Sequence, residues 1–277
     1  MEERTVIAGF DLGNEYSQIC YFDDNKCMPV CIGKNEDEMF IPTVLGLKDT
    51  GEWLCGRDAL AFHEAGRCSL INDFILALEN DTLVYVDEKE IMPELLLVTF
   101  FKKTLFKLKE YEPNRSIKKI VVTVERLSER LAEYIYLALE AMGIGRTRVV
   151  VLSYKQCYLH YVLSHSSELW VNDVGMFDFG YRGLKYYQIT VDRQRTPYIV
   201  GITERDYSES MNMSMLNTQK DKDSLCYIFE NIVQNAVHRQ ILSALYMTGD
   251  GFLGGWADSS MKKLCNGRRV FAGRNLY

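Results

Sequence analysis

The sequence predicts an α/β protein built as two lobes of like topology, and three observations carry that reading. Strand-like and helical segments alternate through "KKIVVTVERLSERLAEYIYLALEAMGI", "TRVVVLSY" and "KQCYLHYVLSH", the pattern of a central sheet flanked by helices. Asn172 and Asp173 break the alternation, and strands begin again after them. Each part opens with two strands joined by a turn that follows Asp-x-Gly, at Asp11-Leu12-Gly13 and Asp178-Phe179-Gly180. An internal repeat of this kind implies two lobes, here residues 1–171 and 172–277.

The elements follow in order. Residues 5–12 are apolar nearly throughout and read as a buried strand. Residues 17–22 alternate better, and the gap between the two has hairpin length and turn residues. Residues 27–32 make a third strand and 40–47 another, bounded by the turn "KDTGEW". A helix starts near Arg57. Residues 92–111 form a long helix with Pro93 in its first turn. Its Leu96, Phe100, Leu105 and Leu108 recur at helical spacing, while Lys102, Lys103, Lys107 and Lys109 supply solvent-facing charge. Pro113 ends it. Residues 120–124 are a strand, and a helix runs from about Ser128 to Gly143. Beyond the break, "VGMFDFGYRGLKYYQITV" is strand–turn–strand and "TPYIVGIT" a third strand. Residues 211–223 are polar and rich in Met and Asn, and read as a loop. Residues 224–242 form an amphipathic helix carrying Leu225, Ile228, Ile232, Val237 and Ile241. Residues 244–248 are a strand that runs into "GDGFLGG", and "WADSSMKKL" is a final helix.

Composition narrows the function. A chain of 277 residues, 47% hydrophobic and 25% charged, builds its core without staples. Its net charge of −6 gives no duplex-binding surface, so no nucleic-acid partner is expected. Met1 to Arg4 are mostly charged and precede an apolar run one strand long, which argues against a signal peptide. No apolar stretch approaches the ~18 residues of a membrane span. The eight cysteines are scattered, as reduced thiols in a cytoplasm would be. Cys20, Cys27 and Cys31 lack a Cys-x-x-Cys knuckle and an evident fourth ligand, so they read as strand residues rather than a zinc site. His63, His160, His165 and His238 show no metal-ligand spacing.

An Asp at the end of a buried strand, followed by Gly, is costly unless it has a task. Its carboxylate can hold a hydrated Mg²⁺ while backbone N–H groups of the turn point at phosphate. Gly lets the backbone come close. One copy of so common a turn says little; two copies at matching places, with Gly249 and Gly251 in a strand–glycine turn–helix arrangement downstream, say more. Two such hairpins, one from each lobe, would grip a nucleotide's phosphates from both sides.

The order of these segments resembles the actin-like ATPase superfamily, most closely the ATPase domain of the heat-shock chaperones. "AGFDLGNEYSQICYF" resembles that family's first phosphate motif and "VGMFDFGYRGLKYYQITV" its second. "FIPTVLGLKDTGEWLCGRDALAF", with Pro42 and Gly56, and the strand–helix–strand–helix unit resemble the segments between them. "LYMTGDGFLGGWADSSMKKL" resembles the adenosine motif. The resemblance implies two lobes of ribonuclease-H-like topology and ATP or ADP with Mg as ligand. It implies that Asp11, Gly13, Asn14 and Glu15 face phosphate or metal, as do Asp178, Gly180 and Arg182. Gly249 and Gly251 would approach ribose or adenine. Asp11 and Asp178 are the catalytic candidates and would hold Mg through water.

The departures matter as much. Asn14 and Glu15 stand where the family has small or hydroxyl residues, and a carboxylate beside phosphate repels it unless a cation intervenes. Tyr181 and Arg182 interrupt the second loop's glycine run, though Arg182 can itself bind phosphate as a fork, and Gly183 takes the position of a Thr. Ser153 stands where the chaperones carry a catalytic Glu. Their catalytic Lys should fall near "LINDFILAL", which has none. The stretch from Asp178 to Gly249 is much shorter than in the chaperones, so the second lobe is reduced, and the end at "VFAGRNLY" reads as a truncation. The expectation is a cytoplasmic, degenerate ATPase acting as a regulatory or interaction module with a protein partner. The alternatives are an active Mg-dependent ATPase that also uses Glu15, an actin-type polymerising protein, or aspartates that merely cap turns.

Overall fold

The structure, a computed structural model, describes residues 4–23, 25–87, 89–112, 115–218, 222–264 and 269–272. The expected helix stop at Pro113 lies outside these residues, as do Met1 and most of "VFAGRNLY". The chain divides into two compact units, Met1–Tyr154 and Lys155–Tyr277.

The first unit grows around the strand β1 (Arg4–Leu12). Val6, Ala8, Phe10 and Leu12 alternate along it and are all buried, whereas Ile7 is exposed, so one face of the strand meets the core. β2 (Tyr16–Asp23) returns antiparallel, and β3 (Met28–Cys31) pairs antiparallel with β2. The helix α1 (Pro93–Tyr111) then carries the chain across to β4 (Arg115–Val124), parallel to β1. A second helix, α2 (Glu129–Glu140), leads to β5 (Val149–Ser153), parallel to β4. The sheet order is β5-β4-β1-β2-β3.

Sequence chemistry explains these elements. Pro93 occupies the first turn of α1, where its missing N–H costs nothing. Ser128 caps α2 by accepting from the Leu131 amide at 3.1 Å. Phe100 and Phe101 of α1 meet Phe10 edge-on, with centroids 6.3 and 4.9 Å apart. Each fully buried aromatic contributes roughly 1.5–3 kcal/mol by removal from water.

The expected strand over 40–47 is two short pieces. Ile41–Pro42 pairs with the start of β2, and Leu45–Leu47 joins a separate three-stranded sheet with Trp53–Cys55 and Ser69–Ile71. Pro42 has no N–H to continue a ladder. The next amide, of Thr43, donates instead to the Glu15 carbonyl at 2.8 Å.

The helix α3 (Tyr154–Ser164) begins at the division, and all of it but Tyr154 belongs to the second unit, whereas residues 172–173 suggest a later break. β6 (Asp173–Gly180), β7 (Gly183–Asp192) and β8 (Ile199–Asp206) form an antiparallel meander. The helix α4 (Lys222–Ala236) leads to β9 (Leu242–Thr248), parallel to β6, and the short α5 (Asp258–Leu264) leads to β10 (Arg269–Ala272), parallel to β9. The order is β8-β7-β6-β9-β10. Strand for strand, order and direction repeat those of the first unit.

Two expectations are corrected here. The loop over 211–223 contains a helix, Met213–Thr218, and Met211 is fully buried with its carbonyl accepting from Leu184 N. Burial of these methionines overrides the polar composition around them. The amphipathic helix ends at Ala236, short of 242, because Arg239 takes a left-handed backbone (φ 59°) that turns the chain into β9 and leaves Ile241 exposed. Among the described residues no helix is long and apolar enough to cross a membrane.

Candidate functional site

Asp11 is the penultimate residue of β1. It lies in register with Gln18 on β2 and Thr123 on β4. The Thr123 hydroxyl donates to Asp11 Oδ1 at 2.9 Å, and the carboxylate is half-buried. In the turn that follows, a side chain at Gly13 would run into the Tyr16 carbonyl, so the hairpin itself demands the glycine. Asn14 Oδ1 and Gln18 Nε2 are buried with no hydrogen-bond partner among the described residues. Glu15 is exposed, and its backbone carbonyl is the one that anchors Thr43.

Asp178 stands near the end of β6, in register with Lys185 on β7 and Thr248 on β9. Its environment is closed. Asp178 is 4% exposed and Lys185 3%, and Tyr158 of α3 donates its hydroxyl to Asp178 Oδ2 at 2.8 Å. Directly opposed strand residues emerge on the same face with Cβ atoms about 5 Å apart, so the Asp178 and Lys185 side chains leave their strands on one buried face. The Thr248 hydroxyl beside them is buried without a hydrogen-bond partner among the described residues. Tyr181 and Arg182 make the two-residue turn of the β6–β7 hairpin, Tyr181 exposed and Arg182 half-buried. Gly183 has φ +95°, which favours glycine there over the Thr of the chaperone pattern. At Gly180 a Cβ would meet nothing closer than Asp178 Oδ1 at 3.7 Å.

The glycine-rich turn after β9 has its own internal cause. Gly249 has φ +96°, and a Cβ there would lie 2.5 Å from the Phe179 carbonyl oxygen. A Cβ at Gly251 would enter the ring of Phe179. Phe252 and Trp256 close over the same ring, with centroids 5.7 and 6.4 Å from it, and Trp256 Nε1 donates to the Gly251 carbonyl at 2.8 Å. These glycines let β6 and the turn pack together.

The two units thus present one constellation twice: a strand-end Asp beside a Thr on its parallel neighbour. Asp11 with Gly13, Asn14 and Glu15 gather in one unit. Asp178 with Gly180, Arg182, Gly249 and Gly251 gather in the other. The sequence motifs missed Thr123, Tyr158 and Lys185, and held Thr248 only as the residue that opens the glycine-rich turn. Lys185 was the most findable, since a Lys inside "GLKYYQI" breaks an otherwise apolar strand.

The donor set of the second unit fits a hydrated Mg²⁺ poorly. Its carboxylate already accepts a tyrosine hydroxyl and faces a lysine side chain. Among the described residues no group of three or more His, Cys, Asp or Glu side chains is placed to hold a metal ion. Burial pushes the Cys20 thiol up to about 11, which disfavours the thiolate that a zinc ion needs. Among the described residues no disulfide forms.

A family model described as "Family of unknown function (DUF5716) C-terminal" matches residues 26–277. The match takes in Asp178, Arg182 and the glycine-rich turn, and it begins beyond Asp11 and Gly13. No curated protein matches the chain.

Proposed function

We propose that this chain, which belongs to the DUF5716 C-terminal family, is a divergent domain of the actin-like, heat-shock-chaperone-like ATPase fold. It serves as a regulatory or protein-interaction module and not as an ATP hydrolase. In support of the fold reading, both units carry a meander of three antiparallel strands continued by two parallel ones, the strand order of a ribonuclease-H-like lobe. A reduced second lobe is supported by the stretch between β8 and β9, where the described residues hold only Met213–Thr218 and α4.

One observation carries the loss of catalysis. Asp178, which the resemblance to the actin-like ATPases makes the second metal-facing carboxylate, is buried, accepts the Tyr158 hydroxyl and lies opposite Lys185. A buried lysine side chain on the facing strand supplies positive charge beside the carboxylate, which disfavours a metal ion there. Phosphoryl transfer depends on positioning and charge stabilisation, and Ser153 supplies neither where a catalytic Glu would stand. A second reading, nucleotide binding without turnover, draws on the first unit, where Asp11 is only half-buried and the neighbouring Asn14 Oδ1 lacks a partner among the described residues.

Thermal unfolding with millimolar Mg-ATP or Mg-ADP separates the readings. Ligand at ~100 times its dissociation constant adds about 2.7 kcal/mol, roughly 5–10 °C for a chain of this size. The module predicts no shift and no phosphate release above that of Asp11→Ala. A shift of that size without turnover supports the second reading, and turnover abolished by Asp11→Ala overturns the proposal.

A further inference from the structure

A cavity of about 740 Å³ opens in the first unit. It lies at the end of the sheet away from Asp11, where Val6 of β1 pairs with Ile117 near the start of β4. Its volume falls within the ~300–1,000 Å³ typical of small-molecule sites. The inner wall is apolar: Leu105 and Leu108 of α1 are core residues, and Met142 packs against the same core. Phe106 lines it too, and 60% of that residue is exposed.

The remaining lining is cationic. Lys102 and Lys109 are two helical turns apart on α1 and so share one face. They are two of the four lysines that the sequence placed on a merely solvated surface. Arg115 and Arg148 add two more positive side chains. Among the described residues Glu112 is the lone carboxylate of the lining, and it is already engaged: Arg115 Nε contacts it at 3.1 Å. Lys102 and Lys109 have no ion-pair partner among the described residues. Arg148 donates Nη2 to the Ile117 carbonyl at 2.5 Å, while its buried Nε has no acceptor among the described residues. Three of the four cations thus have no carboxylate partner among the described residues, in a chain of net charge −6. An apolar wall excludes a polyphosphate as the natural guest, and a cationic rim disfavours a neutral hydrocarbon.

We propose that this cavity binds a small amphiphilic carboxylate, its aliphatic or aromatic body against Leu105, Phe106 and Met142 and its head on the basic rim. The site lies at the opposite end of the strands from Asp11 and stands independently of any nucleotide.

Isothermal titration of the full chain with octanoate tests the site, with octanol as the neutral control. Wild type should take up octanoate saturably at one equivalent and bind octanol more weakly. Lys102→Glu combined with Lys109→Glu, both exposed positions, should weaken octanoate at least about tenfold and leave octanol unchanged. Met142→Trp should fill the cavity and abolish both. Absence of saturable octanoate binding overturns the proposal. So does octanoate binding that the charge variant leaves unaltered, which would place the ligand elsewhere. If Met142→Trp unfolds the protein, the charge variant alone decides.

Discussion

Lys185 and Asp178 are directly opposed on β7 and β6, and both are buried. Removing one member of a buried charge pair strands the other and costs about 3–5 kcal/mol, whereas replacing both together is often close to neutral. Lys185→Met should therefore lower stability by that order in a urea titration. Adding Asp178→Asn, which keeps an acceptor for the Tyr158 hydroxyl, should recover most of the loss. Strictly additive losses would show that the two side chains do not interact. The same pair marks how far a motif can be read. Asp178 and Gly180 were legible because Asp-x-Gly is local. Tyr158 and Lys185 became partners of Asp178 only through the register of β6 against β7 and the placement of α3, which no short window of sequence contains. Gly249 and Gly251 were legible as glycines but not as to cause: their neighbour is Phe179, far away in the sequence.

Among the elements, those with a clean period were legible. The i, i+4 apolar spacing of α1, the Ser128 cap of α2 and the alternation of β2 are local signals, and each element lies within a few residues of its expected place. The failures have physical causes. Pro42 splits a strand, Arg239 ends α4 early, and the Met213–Thr218 helix forms in a polar stretch because Met211 beside it is buried. The turn after β9 offers a test of packing against local strain. Gly251→Ala drives a methyl into the Phe179 ring, an overpacking cost of about 1–3 kcal/mol. Gly254→Ala meets nothing within 4 Å but must hold φ +86°, a cost of roughly 1–2 kcal/mol. Thermal midpoints should show Gly251→Ala as the more destabilised, and Phe179→Leu should relieve it in part while leaving Gly254→Ala unrelieved. Equal effects of Phe179→Leu on both would remove the packing explanation.

At the scale of the whole chain, each unit has its own core, one assembled from residues 8–151 and the other from 177–257. Residues 1–154 and 155–277, expressed apart, should each unfold cooperatively in urea. A broad, featureless transition in either fragment would refute the division. Composition put the break at 172 because Asn172 and Asp173 interrupt the apolar pattern. Packing puts it earlier, since α3 sends Tyr158 to Asp178 and Tyr187, and Tyr161 to Tyr246. The repeated strand order also creates a refolding hazard. During synthesis β6 offers a hairpin partner the same kind of edge as β1, and mispairing between like modules is a common failure of such chains. The copies differ at the point where an exchange would be tried. Gly9 of β1 makes room for the thiol of Cys20 opposite it, while the matching place on β6 holds Met176, opposite Tyr187. An exchanged hairpin strand would set the Cys20 side chain against Met176 where its own unit offers a glycine, so the divergence of the two copies disfavours the exchange.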